Sequence, residues 1–379
     1  MVIKTLHIIT GLNIGGAETM LLRLIKHNPE SLNCSVVVSL TGTGKIGTIL
    51  EKMGITVIYL NMHNWFSIFN AVLNLKKIIK VEKPSLVHCW MYHANIIGGI
   101  AAFLAQNKNI VWSIRRSSLQ LKESLSTFII MKIGAMFSGI IPKIIICVAE
   151  SGLHNHERYG YKRNKMMVIP NGFEIEKFRQ DSNIRKRIRK DFDIDDDKIV
   201  IGCVGRFHQS KGYDNLIKSA DKVIRRFKNV RYMLVGRDLS PQNAILMERI
   251  NQIGYADHFL LIGETNHVAD YMSAMDIFCL PSNTEGFPNA LGEAMTSELP
   301  CVACDVGDVR KITGDLAILV ESDSEKLSKG LCDMLSMDRG ERQKIGLMGR
   351  KKIEKEYPIK KICQNYYKLY ASICFKGEI

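Results

Sequence analysis

Two carboxylates, Glu285 and Glu293, stand eight positions apart in TEGFPNALGEAM, a stretch that otherwise runs apolar toward a short helix. A carboxylate in such surroundings costs free energy unless it has a partner. Pro288 suits the first turn of a helix, so the N–H groups of Asn289, Ala290 and Leu291 are left at a helix start, a setting that favours an anion. Carboxylates beside an anion would repel it unless hydroxyl donors occupy them. Vicinal hydroxyls of a sugar or a ribose are suitable donors. Amides for phosphate and carboxylates for hydroxyls together suggest a nucleotide sugar.

Two glycine-bearing loops extend this chemistry. In VGRFHQSKGYDNLI, Arg206 and Lys211 lie between Gly205 and Gly212. A planar guanidinium fork and a point charge in a loop after an apolar strand suit a diphosphate. The Walker spacing is absent, which argues against an ATPase. In GLNIGGAE, Gly15 and Gly16 follow the first strand and precede a helix. Their backbone can approach a phosphate, although the same pair serves any tight turn. The G-x-G-x-x-G dinucleotide fingerprint is missing.

These loops must be carried by strands and helices, and the sequence shows a repeating set of both. Short β-branched runs alternate with amphipathic stretches, the pattern of parallel sheets with crossover helices. TLHIIT, SVVVSL, TVIYL, SLVHCW, IVWSI and KIIICV read as strands of a first domain; IVIGCVG, RYMLVG, HFLLIG, IFCLPS, PCVAC and AILV restart the rhythm in a second. The expected division is 1–175, 176–357, and a C-terminal helix over 358–379 that returns to the first domain. Ligands of open parallel sheets bind beyond the carboxyl ends of the strands. The chemistry is therefore expected in the strand-to-helix loops, across a cleft between the domains. The cluster Arg185, Lys186, Arg187, Arg189 and Lys190 reads as a solvated helix face.

Of the formal charge of +14, residues 1–175 carry +11, from 19 Lys and Arg against 8 Glu and no Asp. Such a half suits an anionic membrane face or a phosphorylated substrate. No nucleic-acid-binding motif is present, so no nucleic-acid partner is expected. The ten cysteines form no framework, and MVIKTLHIITGL enters a strand rather than a secretory leader. A cytoplasmic setting with free thiols follows as the expectation, with Cys301 and Cys304 packed in a strand. Leu125–Val148 is the most apolar segment, yet Lys132, Pro142 and Lys143 interrupt it before it reaches the ~20 residues that span a bilayer. It reads either as a buried helix leading into a strand or as a helix resting on the membrane surface.

The combination of GGAE, G-R-x4-K-G, VIPNGFEIEKF and EGFPNALGEAM with its E-x7-E spacing resembles the retaining glycosyltransferases of the GT-B fold, family-4 type. The likeness runs from about residue 5 to residue 372. HCWMYHANIIG and VWSIRRS are similar to members that build bacterial surface polysaccharides and lipopolysaccharide. The resemblance implies two facing Rossmann-like domains and a metal-independent, cofactor-free transfer of a hexose or N-acetylhexosamine from a nucleotide-diphosphate sugar. It implies that Glu293 binds ribose hydroxyls and Glu285 hydroxyls of the donor sugar, while Arg206 and Lys211 hold the diphosphate. Gly15, Gly16, Gly205, Phe287, Asn289, Ala290 and Leu291 would complete the donor site. His93 and Arg115 would face the acceptor, although many relatives have histidine where Arg115 aligns. With no Asp in the first half, Glu18, His88 and His93 are the better-placed bases there, and His88 reads more readily as a packed residue. In VGDVRKIT, Asp308 and Lys311 stand where relatives show a second glycine and a glutamate. The expected acceptor is a glycan or a polyprenyl-diphosphate-linked glycan; the +11 first half and the apolar Leu125–Val148 stretch suit the lipid-linked form and a peripheral place on the anionic inner face of the cell membrane. A GT-B nucleotide-sugar epimerase and a non-catalytic nucleotide-sugar-binding module are the alternatives.

Overall fold

The structure is a computed structural model that describes residues 3–28, 34–62, 67–116 and 125–375. The chain forms two compact units, Met1–Gly172 with Ile359–Ile379, and Phe173–Pro358.

The first unit is built on seven parallel strands: β1 (Thr5–Ile9), β2 (Ser35–Ser39), β3 (Thr56–Tyr59), β4 (Leu86–Trp90), β5 (Ile110–Ile114), β6 (Ile144–Cys147) and β7 (Met166–Val168). Their order is β3-β2-β1-β4-β5-β6-β7. Strands β1, β2, β4 and β5 are buried at every position, as expected where helices cover both faces of a parallel sheet and alternation gives way to continuous apolar runs. Chain order reverses between β1 and β4, where Ile9 pairs with Trp90. The C-terminal helix Ile359–Cys374 buries Ile359, Ile362, Cys363, Tyr366, Tyr370 and Ile373, a helical stripe that packs with helix Gly16–Lys26 on one side of this sheet. Helices Ile68–Glu82, Tyr92–Leu104 and Leu125–Phe137 cover the other side.

The second unit has six parallel strands: β8 (Ile199–Val204), β9 (Val230–Val235), β10 (Phe259–Gly263), β11 (Ile277–Leu280), β12 (Cys301–Cys304) and β13 (Ala317–Val320). Their order is β10-β9-β8-β11-β12-β13, so the reversal falls between β8 and β11. Cys301 and Cys304 lie buried in β12, and burial pushes the Cys304 thiol up to about 11. These are packing residues.

Two sequence expectations are revised. The cluster in helix Ser182–Asp191 is not a uniformly solvated face. Arg189 is buried, and Arg185 and Arg189 both pair with Asp276, at 2.6 and 3.2 Å. Asp276 in turn accepts from the Val200 amide at 2.8 Å, which fixes the amino ends of β8 and β11 to this helix. A run of alternating basic residues cannot reveal an acidic partner some ninety positions away. Within Leu125–Val148, helix Leu125–Phe137 is neither wholly buried nor wholly surface. Ile130, Met131 and Ala135 face the core while Phe128, Ile129 and Met136 are exposed, and β6 follows.

Candidate active site

In the second sheet the candidate residues lie at the reversal of strand order, the position where open parallel sheets bind ligands; in the first, those after β1 and β4 do, and Arg115 follows the neighbouring β5. In the second unit the loop after β8 carries Gly205, Arg206, Lys211 and Gly212. The loop after β11 carries Ser282 to Pro288 and leads into helix Asn289–Thr296.

These two loops are stitched together by their backbones. The amides of Asn283 and Thr284 donate to the Ser210 carbonyl at 2.9 and 3.2 Å, and Asn283 Nδ2 donates to the Gln209 carbonyl at 2.7 Å. Gly212 makes the approach possible. Its φ is +64°, and a Cβ there would collide with the Pro281 carbonyl oxygen. The stitched loops bring Lys211 Nζ to 2.6 Å from Glu285 Oε1. Ser282, itself buried, donates to the same oxygen at 2.7 Å. The Glu285 side chain is only 8% exposed, so its charge is neutralised where it is least hydrated.

Around this pair the remaining candidate residues of the second unit take defined places. Arg206 is exposed in the loop after β8, and Glu293 is half-buried in helix Asn289–Thr296. Pro288 is the N-cap of that helix rather than its first helical residue, so Asn289, Ala290 and Leu291 form the first turn. Phe287 is buried, stacking on Phe173 at 5.9 Å between ring centroids and meeting Tyr357 edge-on at 5.8 Å. Its side chain serves the packing beneath the loop. Asp308 is buried, and its amide donates to the Gly286 carbonyl at 3.2 Å, so the loop after β12 braces the one after β11. Lys311 is exposed on the short helix Val309–Thr313.

Gly15, Gly16, Glu18, His93 and Arg115 all belong to the first unit. Gly15 caps helix Gly16–Lys26, and a Cβ on it would meet the Glu18 carboxylate. Glu18 thus folds back over the start of its own helix. Burial raises its carboxyl pKa, against the lowering effects of its own backbone amide and of Arg115. The carboxylate therefore sits beside Gly15, at the helix start that the sequence pattern offers to a phosphate.

On the other side of the reversal, Met91 joins β4 to helix Tyr92–Leu104 with φ +72° and ψ 164°. This backbone region is essentially reserved for glycine and costs about 1–3 kcal/mol in any other residue. His93, on the first turn of that helix, has a pKa lowered by burial and by nearby Arg116, so it is neutral at neutral pH. His88 is fully buried, its ring nitrogens meeting Tyr370 Oη at 2.6 Å and Ser113 Oγ at 2.7 Å. It is a core residue. Ser282, which donates to Glu285, is not marked by any pattern in the sequence.

Residues 14–177 match the model of Glycosyltransferase Family 4, and residues 184–352 that of Glycosyl transferases group 1. The chain belongs to the GT-B glycosyltransferases. Among curated relatives, this glycosyltransferase is 28% identical over 330 residues to the capsular polysaccharide biosynthesis glycosyltransferase CapM of Staphylococcus aureus, covering 83% of each chain. It is 26% identical to the UDP-Gal:alpha-D-GlcNAc-diphosphoundecaprenol alpha-1,3-galactosyltransferase of Escherichia coli, covering 62% of each. Its fold is that of Anabaena HepE, solved in complex with UDP, with a TM-score of 0.86 at 19% identity over 97% of this chain and all of that one.

Proposed function

We propose that this glycosyltransferase moves a hexose or N-acetylhexosamine from a nucleotide-diphosphate sugar to a polyprenyl-diphosphate-linked glycan, with retention of configuration, in the making of a cell-surface polysaccharide. The observation that carries the reading is the Lys211–Glu285 pair at the strand reversal of the second unit, a cation and a carboxylate that a sugar diphosphate would engage together. Before the donor binds, each partner neutralises the other. As it binds, Lys211 turns to the diphosphate with Arg206, and Glu285 accepts hydroxyls of the sugar. Glu293 takes the ribose hydroxyls, and the first-turn amides of Asn289, Ala290 and Leu291 reach phosphate or sugar. In the transition state, negative charge grows on the departing diphosphate, where fixed cations lower the barrier without a metal ion.

The first unit takes the acceptor. His93, neutral and half-buried, and Glu18 are its proton-accepting groups, and Arg115 is its cation. The identities of CapM and of the Escherichia coli galactosyltransferase support a polysaccharide product and a lipid diphosphate acceptor. Among the described residues no helix is long and apolar enough to cross a membrane. A peripheral contact is supported by exposed Phe69, Leu73 and Val81 on helix Ile68–Glu82, Phe103 and Leu104 on the adjoining helix, and Phe128, Ile129 and Met136 on the next. Exposed Lys77, Lys80, Lys83 and Lys132 share those helices or their ends and would meet anionic headgroups.

Proton NMR of the first-formed glycoside tests the reaction type. An anomer matching the donor is expected, and an inverted one would overturn the retaining mechanism. An epimerised sugar formed from donor alone would favour the epimerase instead.

A further inference from the structure

In the first unit, Arg115 follows β5 directly, yet its guanidinium does not point away from the sheet. It lies over the ring of Trp90, the last residue of β4, with Cζ 5.4 Å from the ring centre. From there it acts on the carboxyl group of Glu18, which belongs to the helix following β1. Two neutral groups fix the guanidinium there: Nη1 donates to Tyr366 Oη at 3.2 Å, and Nη2 donates to Asn171 Oδ1. Tyr366, Trp90 and Asn171 are all buried, and the Tyr366 ring stacks on Trp90 at 6.3 Å with an interplanar angle of 20°. Among the described residues, none of the hydrogen-bond partners of Arg115 is a carboxylate. The clamp orients the guanidinium, and among the described residues its hydrogen bonds go to neutral groups.

We infer that Tyr366 of the C-terminal helix is a positioning residue for the acceptor side, holding Arg115 where it meets a phosphate group of the acceptor. The helix that returns to the first unit is therefore part of the reaction machinery and not only a cover for its sheet. Two neighbouring tyrosines set the contrast. Tyr370 Oη pairs with Nδ1 of buried His88 at 2.6 Å and Tyr367 donates to the Leu24 carbonyl at 3.1 Å, both contacts that hold the helix in place. Tyr366 alone among the three places its hydroxyl on the guanidinium.

The inference rests on the proposed transfer to a phosphate-bearing acceptor, and one set of kinetic measurements separates the two. Steady-state rates are taken with a polyprenyl-diphosphate-linked N-acetylglucosamine for wild type, Tyr366→Phe, Arg115→Ala, their double variant, and Tyr370→Phe. Tyr366→Phe keeps the ring and removes only the hydroxyl. It is expected to raise the acceptor KM about tenfold, the scale of one hydrogen bond to a charged group, with the donor KM and the thermal midpoint unchanged. The double variant is expected to be no worse than Arg115→Ala alone, because the hydroxyl acts through that guanidinium. Tyr370→Phe is expected to lower the thermal midpoint and leave the acceptor KM alone. A Tyr366→Phe enzyme with wild-type acceptor KM, or with donor and acceptor KM raised alike, overturns the inference. So does a penalty that persists in the Arg115→Ala background. Wild-type protein that transfers nothing to any lipid-linked acceptor sinks the proposed function and this inference together.

Discussion

Lys211 Nζ lies 2.6 Å from Glu285 Oε1, and the same oxygen accepts from Ser282 at 2.7 Å. A cation from the loop after β8 and a carboxylate from the loop after β11 thus meet at the point where strand order reverses. Lys211→Ala is expected to lower kcat by about 10–1000-fold, the range for loss of one fixed electrostatic donor. Glu285→Ala also leaves the lysine without its counter-charge, so the two effects are expected to be strongly non-additive. Kinetics of the two single variants and the double variant measure the coupling. A Lys211→Ala enzyme with wild-type kcat would remove its assigned role.

Gly212 ties these loops together at φ +64°, with no room for a Cβ beside the Pro281 carbonyl. Gly212→Ala combines backbone strain with a steric clash. A loss of about 2 kcal/mol or more in stability is expected, along with weaker binding of the sugar diphosphate. Denaturant melts and donor titration check both. Unchanged stability would mean that the loops tolerate separation.

Met91 stores strain at the reversal of the first sheet, at φ +72° and ψ 164°. Met91→Gly is expected to relieve about 1–2 kcal/mol of it, raising the thermal midpoint, while the looser turn slows transfer. A lower midpoint would show that the Met91 side chain contributes more by packing than its backbone costs.

His7 and His88 are buried and neutral. Burial pulls His7 down from 6.5 to about 3, and His88, with His7 and Arg115 also near, falls well below its usual value. The unfolded chain therefore binds more protons than the folded one below about pH 6.5. Stability contributed by the neutral rings is fully present above that pH and is lost as pH falls toward 3. Each histidine makes the decline steeper by about 1 kcal/mol per pH unit. Thermal melts from pH 8 to pH 4 should show it, and His7→Phe should flatten it. An equally steep decline in that variant would assign the acid sensitivity elsewhere.

The parts of this account visible in the sequence are those that nearby residues determine. A β-branched run followed by glycines announces a strand and its loop, and EGFPNALGEAM carries its turn, its proline and both carboxylates within a dozen positions. Lys211 and Glu285 could be named as candidates because each sits in such a loop. Their contact could not be named, since it depends on β8 and β11 being neighbours across 74 residues. Tyr366 and Arg115 are 251 residues apart, and helical periodicity shows only that the tyrosine faces inward. Glu18 adds a feature that the local pattern does not show. The GGAE pattern offers two bare amides to a phosphate, and only the folded side chain shows the Glu18 carboxylate beside the Cα of Gly15. Arg189 is similar, an apparent surface charge whose partner Asp276 lies at the start of another strand.

The most direct measurement of the central claim is nucleotide release from UDP-, GDP- and ADP-sugars, with and without a polyprenyl-diphosphate-linked glycan. The account predicts release from one class of donor, strongly accelerated by the lipid-linked acceptor and lost with Lys211→Ala. Release from no donor, or release indifferent to both the acceptor and Lys211, would contradict it.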